Sequence, residues 1–162
     1  MSEHAARISV LFVCMGNICR SPTAEAVFRK FITDAGLDTV VHTDSAGTHA
    51  YHVGSEPDRR AHEAAVRRGY SLEGIRARRV TDMDFEGFDL IVAMDEDNLL
   101  MLRETSGPEH HGKIRLFLEF APDATLREVP DPYYGGASGF ERVLDLVEDA
   151  SRGLLDAVRN QL

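Results

Sequence analysis

Long apolar runs are missing from these 162 residues, and with them any stretch able to cross a bilayer as a helix. Cysteine is nearly absent. The two that exist, Cys14 and Cys19, share one short segment, which is no disulfide framework for a secreted fold. Positive charge is scarce as well: 18 Lys and Arg stand against 27 Asp and Glu, a formal net charge of −9. That balance argues against general binding to nucleic acid or to anionic membranes. Neither G-x-G-x-x-G nor a Walker A sequence occurs, so the common nucleotide cradles are excluded. His49 with His52, and His110 with His111, have no Cys, Asp or Glu partners at ligand spacing, so neither a metal nor a cofactor is expected. There is no repeat and no linker, and the length fits one domain over 1–162. Residues 1–6 read as a short, flexible polar lead without an apolar signal core, and the expected address is cytoplasmic.

What is present is organised around Val10-Leu11-Phe12-Val13-Cys14-Met15-Gly16-Asn17-Ile18-Cys19-Arg20-Ser21-Pro22. Ile8 to Val13, short and rich in β-branched and aromatic residues, predicts a buried strand. Gly16 and Asn17, the residue types that most readily take positive φ, mark a tight loop. Ser21-Pro22 then predicts a helix start, with Ser21 as N-cap. Ala24, Val27, Phe28, Phe31, Ile32 and Ala35 form one helical face, with Gly36 as its end. A strand that turns tightly into a helix points backbone N–H groups and the positive end of the helix dipole at one spot. An oxyanion such as phosphate can fill that spot, held by Met15, Gly16, Asn17, Ile18, Cys19 and the forked donors of Arg20. The same surroundings favour the thiolate form of a cysteine, so Cys14 is the candidate nucleophile in the floor of an anion site. Asn17 is expected to hold a left-handed turn, and Ser21 to hydrogen-bond the sulfur.

Downstream, Val40 to Gly47 predicts a second strand, and Asp58 caps a short helix over Ala61, Ala64 and Ala65. Thr81 to Asp84 reads as a capping box. Phe88 to Met94 predicts a third strand covered on both faces. Asp95 caps the next helix, and Ile114 to Phe117 predicts a fourth strand. Ser138-x-x-Glu141 reads as a capping box for a long helix whose face carries Phe140, Val143, Leu144, Val147, Ala150, Leu154 and Val158. Strands alternating with helices imply a parallel α/β sheet with helices on both faces. In such sheets ligands lie outside the carboxyl ends of the strands, which is where Cys14 falls.

The stretch VCMGNICRSP resembles the C-x5-R-S signature of the protein-tyrosine phosphatases, and its position near the N-terminus is that of the low-molecular-weight class. The resemblance covers nearly the whole chain. It implies a single domain with a four-stranded parallel sheet and the phosphate loop after the first strand. It also implies a metal-independent phosphomonoester hydrolase acting on phosphotyrosine in a protein or peptide, as a monomer or weak dimer. Asp131, in Asp131-Pro132-Tyr133-Tyr134, matches the family's general acid, and Ser45 matches a serine that braces the loop. Tyr51 stands where relatives often have tryptophan; with Tyr133 and Tyr134 it would wall the substrate pocket. Arg68 aligns with a position that is often histidine in the family and belongs to the network behind the loop. The arginines at 59, 60, 67, 68, 76, 78 and 79 read either as a solvated face or as a basic rim for an acidic phosphopeptide.

Three other readings share parts of this pattern. A thiol-based arsenate reductase needs further cysteines downstream, and none follows Cys19. A protein-arginine phosphatase uses the same loop, with threonine where this chain has Ile18. A non-catalytic phosphate-binding module would normally lack the nucleophile or the acid. Cys14 and Cys19, close together in one loop, also suggest a redox switch in which a disulfide protects the nucleophile.

Overall fold

The computed structural model describes residues 7–122, 125–133 and 136–162; the proposed flexible lead at 1–6 lies outside them. Four strands, β1 (Ile8–Cys14), β2 (Val41–Gly47), β3 (Leu90–Ala93) and β4 (Ile114–Leu116), form one all-parallel sheet in the order β2-β1-β3-β4. The helices are α1 (Arg20–Asp34), α2 (Arg59–Arg67), α3 (Asp82–Gly87), α4 (Glu96–Thr105) and α5 (Ala137–Arg159). The expected α/β class, parallel pairing and four strands are all found.

Alternation along β1 divides the core in two. Val10 and Phe12 face α1 and α5 in one apolar cluster; Leu11 and Val13 face Phe85 of α3 and Leu102 of α4 in the other. Phe12 meets Phe28 and Phe117 edge to face, with ring centroids 5.6 and 5.3 Å apart. Truncating such a residue to alanine typically costs about 3–5 kcal/mol. The apolar face expected of α5 is buried throughout, from Phe140 to Val158. Because β1 sits between β2 and β3, its carboxyl end opens at the switch point of the sheet, where the chain order reverses.

Two helix starts differ from expectation. Cys19, not Ser21, stands at the N-cap of α1, and it provides no side-chain cap. The Ser21 hydroxyl is engaged with the Cys14 sulfur and Asn17, so it is unavailable for capping. Pro22 falls at the third helical position, two later than expected, and is tolerated because the first turn of a helix needs no N–H partner there. In α5, Gly136 is the N-cap and Ser138 lies exposed inside the first turn. By contrast Asp58, Asp95 and the Thr81–Asp84 box all cap as read.

Candidate active site

The loop after β1 is held by bonds that only its own residue types can make. Asn17 adopts φ +57°, the one positive φ outside glycine among the described residues. In that turn its backbone N–H donates to Cys14 Sγ at 3.3 Å. Its side-chain amide reaches in the opposite sense, donating to Ser21 Oγ at 2.8 Å and Ser45 Oγ at 3.0 Å, while its Oδ1 accepts from the Arg78 amide at 3.0 Å. Ser21 Oγ lies 3.0 Å from Cys14 Sγ. One buried asparagine thus ties the Cys14 loop to α1, β2 and the segment before α3. Gly47, at the end of β2, makes room for this. A Cβ there would stand 2.7 Å from the Met15 carbonyl oxygen, closer than side chains are found.

Behind Ser45 is a group the sequence reading missed. Glu25 of α1 is buried, accepts from Ser45 Oγ at 2.6 Å and pairs with Arg29. Burial pushes its carboxyl up from the usual range, against the hydrogen bond from Ser45 and the charge of Arg29. A carboxylate four positions after Ser21, on a helix face turned inward, was the available signal. Arg68 does not reach this network. It binds Glu141, Asp145 and Glu148 of α5 and fastens α2 to that helix, so it does not take the place that histidine holds in the family. Its neighbours are similarly engaged: Arg59 with Glu63, Arg67 with Glu141, Arg76 with Glu56, and Arg78 with Asp44 and Asp84. These pairings leave little of a free basic rim.

Arg20, 3% exposed, is held edge-on. Its Nη1 donates to Asp95 Oδ2 at 2.7 Å and to the Val129 carbonyl at 3.0 Å. Its Nη2 faces Asp131 Oδ2 at 3.7 Å. Burial alone would lower its pKa, but Cys14, Asp95 and Asp131 outweigh that and raise it, so the guanidinium stays charged. Asp95 therefore does two jobs: Oδ1 caps α4 through the Asn98 amide and Oδ2 orients Arg20. Only the cap was legible in the sequence. Val129 also donates its amide to the Met94 carbonyl at 2.8 Å, which fixes the chain over the end of β3 two residues before Asp131.

These pieces enclose a cavity of about 300 Å³. Cys14, Gly16, Ile18 and Arg20 line its base, and Tyr51, His52, Asp131 and Tyr133 its sides. Met15 and Cys19 also line it, whereas Asn17 and Ser45 lie behind the wall as braces. Tyr51 stacks on His49 at 5.0 Å and is 71% exposed. His52 packs over Gly16 and faces Tyr133. Tyr134 falls outside the described residues. No cluster of three or more metal-ligating side chains occurs among the described residues, and no helix there is long and apolar enough to cross a membrane.

A cysteine sulfur, a fixed guanidinium and a carboxyl lining one cavity suit displacement at a tetrahedral oxyanion ester. Comparison with known proteins points the same way. Residues 9–162 match the family model described as low molecular weight phosphotyrosine protein phosphatase. A low molecular weight protein-tyrosine-phosphatase of Streptomyces coelicolor is 47% identical, covering 94% of each chain. A low molecular weight phosphotyrosine protein phosphatase of Homo sapiens is 42% identical, covering 96% of this chain and 98% of its own. Among solved structures, a protein tyrosine phosphatase from Entamoeba histolytica with Hepes in the active site superposes with a TM-score of 0.92 at 43% identity, over 95% of this chain and 98% of that one.

Proposed function

Because this chain belongs to the low molecular weight phosphotyrosine protein phosphatase family, we propose that it hydrolyses phosphotyrosine in proteins or peptides through a phosphocysteine. Cys14 Sγ attacks phosphorus in line with the departing phenol oxygen, forming the S–P bond as the P–O bond breaks. Arg20 and the amides from Met15 to Arg20 hold the equatorial oxygens as charge shifts between them. Asp131 gives its proton to the phenol oxygen. It then takes one from the water that cleaves the S–P bond, which returns the thiolate and releases phosphate. Ser21 steadies the departing sulfur. No metal is needed in this scheme, since Arg20 and the amides supply the positive charge. A cytoplasmic address and a monomer or weak dimer belong to the same reading.

The observation that carries it is the meeting of Cys14, Arg20 and Asp131 around one cavity. Tyr51 and Tyr133 stand at its sides, where they can flank an aryl ring. A planar side chain that passes between these rings can bring its phosphate to Cys14, whereas a shorter seryl chain is expected to reach it less well. With chelator present, p-nitrophenyl phosphate is expected to be hydrolysed, and phosphotyrosine peptides to turn over faster than phosphoserine or phosphoarginine peptides. Ile18→Thr is expected to move activity toward phosphoarginine. Faster turnover of phosphoarginine by the unmodified protein would overturn the substrate assignment.

Redox control is part of the same reading. Cys14 and Cys19 are both free and buried. Peroxide oxidises the Cys14 sulfur to sulfenic acid; the Cys19 sulfur then forms a disulfide with it, water leaving. Burial first, then the charge of Asp58, pushes the Cys19 thiol up. Capture is therefore expected to be slow and to require the loop to loosen. Peroxide should remove both free thiols and dithiothreitol should restore activity, while Cys19→Ser should lose most of the recovery. Equal recovery of variant and parent would make Cys19 a packing residue only.

A further inference from the structure

Asp131 sits on an exposed loop, and the mechanism requires its carboxyl to be held over the cradle. The structure contains a closed circuit of bonds that does this, and its central member, Arg60, has no part in the reaction scheme above. The circuit starts at the phosphate loop, where the Ile18 carbonyl accepts from the Asp58 amide at 2.7 Å. The Asp58 carboxylate caps α2 through the Arg60 and Ala61 amides, and its two oxygens also accept from Arg60 Nε at 3.2 Å and Nη2 at 3.1 Å. Arg60 Nη2 donates onward to the Tyr133 carbonyl at 3.0 Å. The Tyr133 amide donates to Asp131 Oδ1 at 3.0 Å, leaving Oδ2 facing Arg20.

Two rings fix the plane of the guanidinium. Its central carbon lies 4.9 Å from the ring centroid of Phe140, buried at the start of α5, and 5.6 Å from that of Tyr133. The guanidinium thus lies over one ring of the core and one ring of the acid loop. Charge alone could not do this: a lysine in the same place offers a point charge with no plane to stack and no fork to span Asp58 and Tyr133.

We infer that Arg60 is a positioning residue for the general acid, latching the Asp131–Tyr133 segment to the phosphate loop through Asp58. The inference rests on the reading of Asp131 as the acid. It assigns to Arg60 no contact with the substrate. Loss of the latch lets the carboxyl drift, and displacement of a catalytic group by about 1 Å can cost up to roughly 100-fold in rate.

The test compares Arg60→Ala, Arg60→Lys and Asp131→Asn in the full chain, over aryl phosphates of graded leaving-group pKa. Asp58 keeps its backbone cap in every variant, so the fold is expected to persist, and melting curves check it. Arg60→Ala is expected to lower kcat about 10- to 100-fold for poor leaving groups and much less for nitrophenyl, with KM within about twofold. Arg60→Lys should restore little of this. Amide exchange at Tyr133, followed by NMR, should quicken in Arg60→Ala. Wild-type kcat, a loss uniform across leaving groups, a loss confined to KM, or full rescue by lysine would overturn the latch. If Asp131→Asn itself shows no leaving-group dependence, the acid reading fails. The latch is then judged by the exchange rate alone, and an unchanged rate rejects it.

Discussion

Cys14→Ser is expected to bring turnover of aryl phosphates close to background while inorganic phosphate or vanadate still binds. Removing the nucleophile of a covalent hydrolase costs on the order of 10⁶-fold in kcat. The substitution leaves the remainder of the cradle intact: Asn17 keeps its bonds to Ser21 and Ser45, and Arg20 keeps Asp95 and the Val129 carbonyl. It also removes the sulfur that helps raise the Arg20 pKa. A bound oxyanion then meets the guanidinium without a competing anion, so its affinity should equal or exceed that of the parent. Calorimetric titration alongside single-turnover kinetics measures both quantities. Turnover at the parental rate would discard the phosphocysteine route, and loss of oxyanion binding would mean that the sulfur holds the loop together.

Asp131→Asn should show the second largest loss, roughly 10²–10⁴-fold for phenols that leave poorly and far less for nitrophenol. Asparagine retains an oxygen for the Tyr133 amide, so the turn at 131–133 survives while the transferable proton does not. Asp131→Ala removes both and should lose at least as much. The measurement is a plot of log kcat/KM against leaving-group pKa, expected to steepen for both variants. Parallel lines for parent and Asp131→Asn would assign this residue to binding or architecture instead.

Much of this site could be read before any coordinates, because its central segment is local. The strand, the turn and the helix around Cys14 are one continuous stretch, and apart from the exact helix start its residue types have backbone reasons that survive in the fold. Asn17 does take the left-handed turn, and the apolar face of α1 is buried at Ala24, Val27, Phe28 and Ile32. Asp131 was found through its sequence motif. What escaped were residues whose local signal already had a sufficient explanation. Asp95 was accounted for as a cap, and nothing nearby in sequence shows that its second oxygen grips Arg20. Ser21 was read both as a cap and as a partner of the sulfur; its hydroxyl takes only the second place, turned to a sulfur seven residues back. Glu25 and Arg78 act through segments distant in sequence, and Arg68 was drawn by alignment toward a network that its side chain does not touch. Tertiary partners of this kind leave no mark on local periodicity.

The order of the sheet bears on how activity arises as the chain folds. No two of its strands form a hairpin. Ile8 pairs with Val41, Val10 with Leu90 and Ile91 with Ile114, each across a helical crossover. Pairing at such separations closes long loops before contacts reward it, which slows folding relative to a chain of hairpins or local helices. The shortest of the closures that involve β1 joins it to β2 and brings Ser45 behind the nucleophile. The acid arrives with the segment beyond β4, docked by the Val129 amide and by α5. The Val129 carbonyl that holds Arg20 and the Asp131 carboxyl belong to that same segment, so a refolding chain is expected to recover its grip on oxyanions and its hydrolysis together, late in folding.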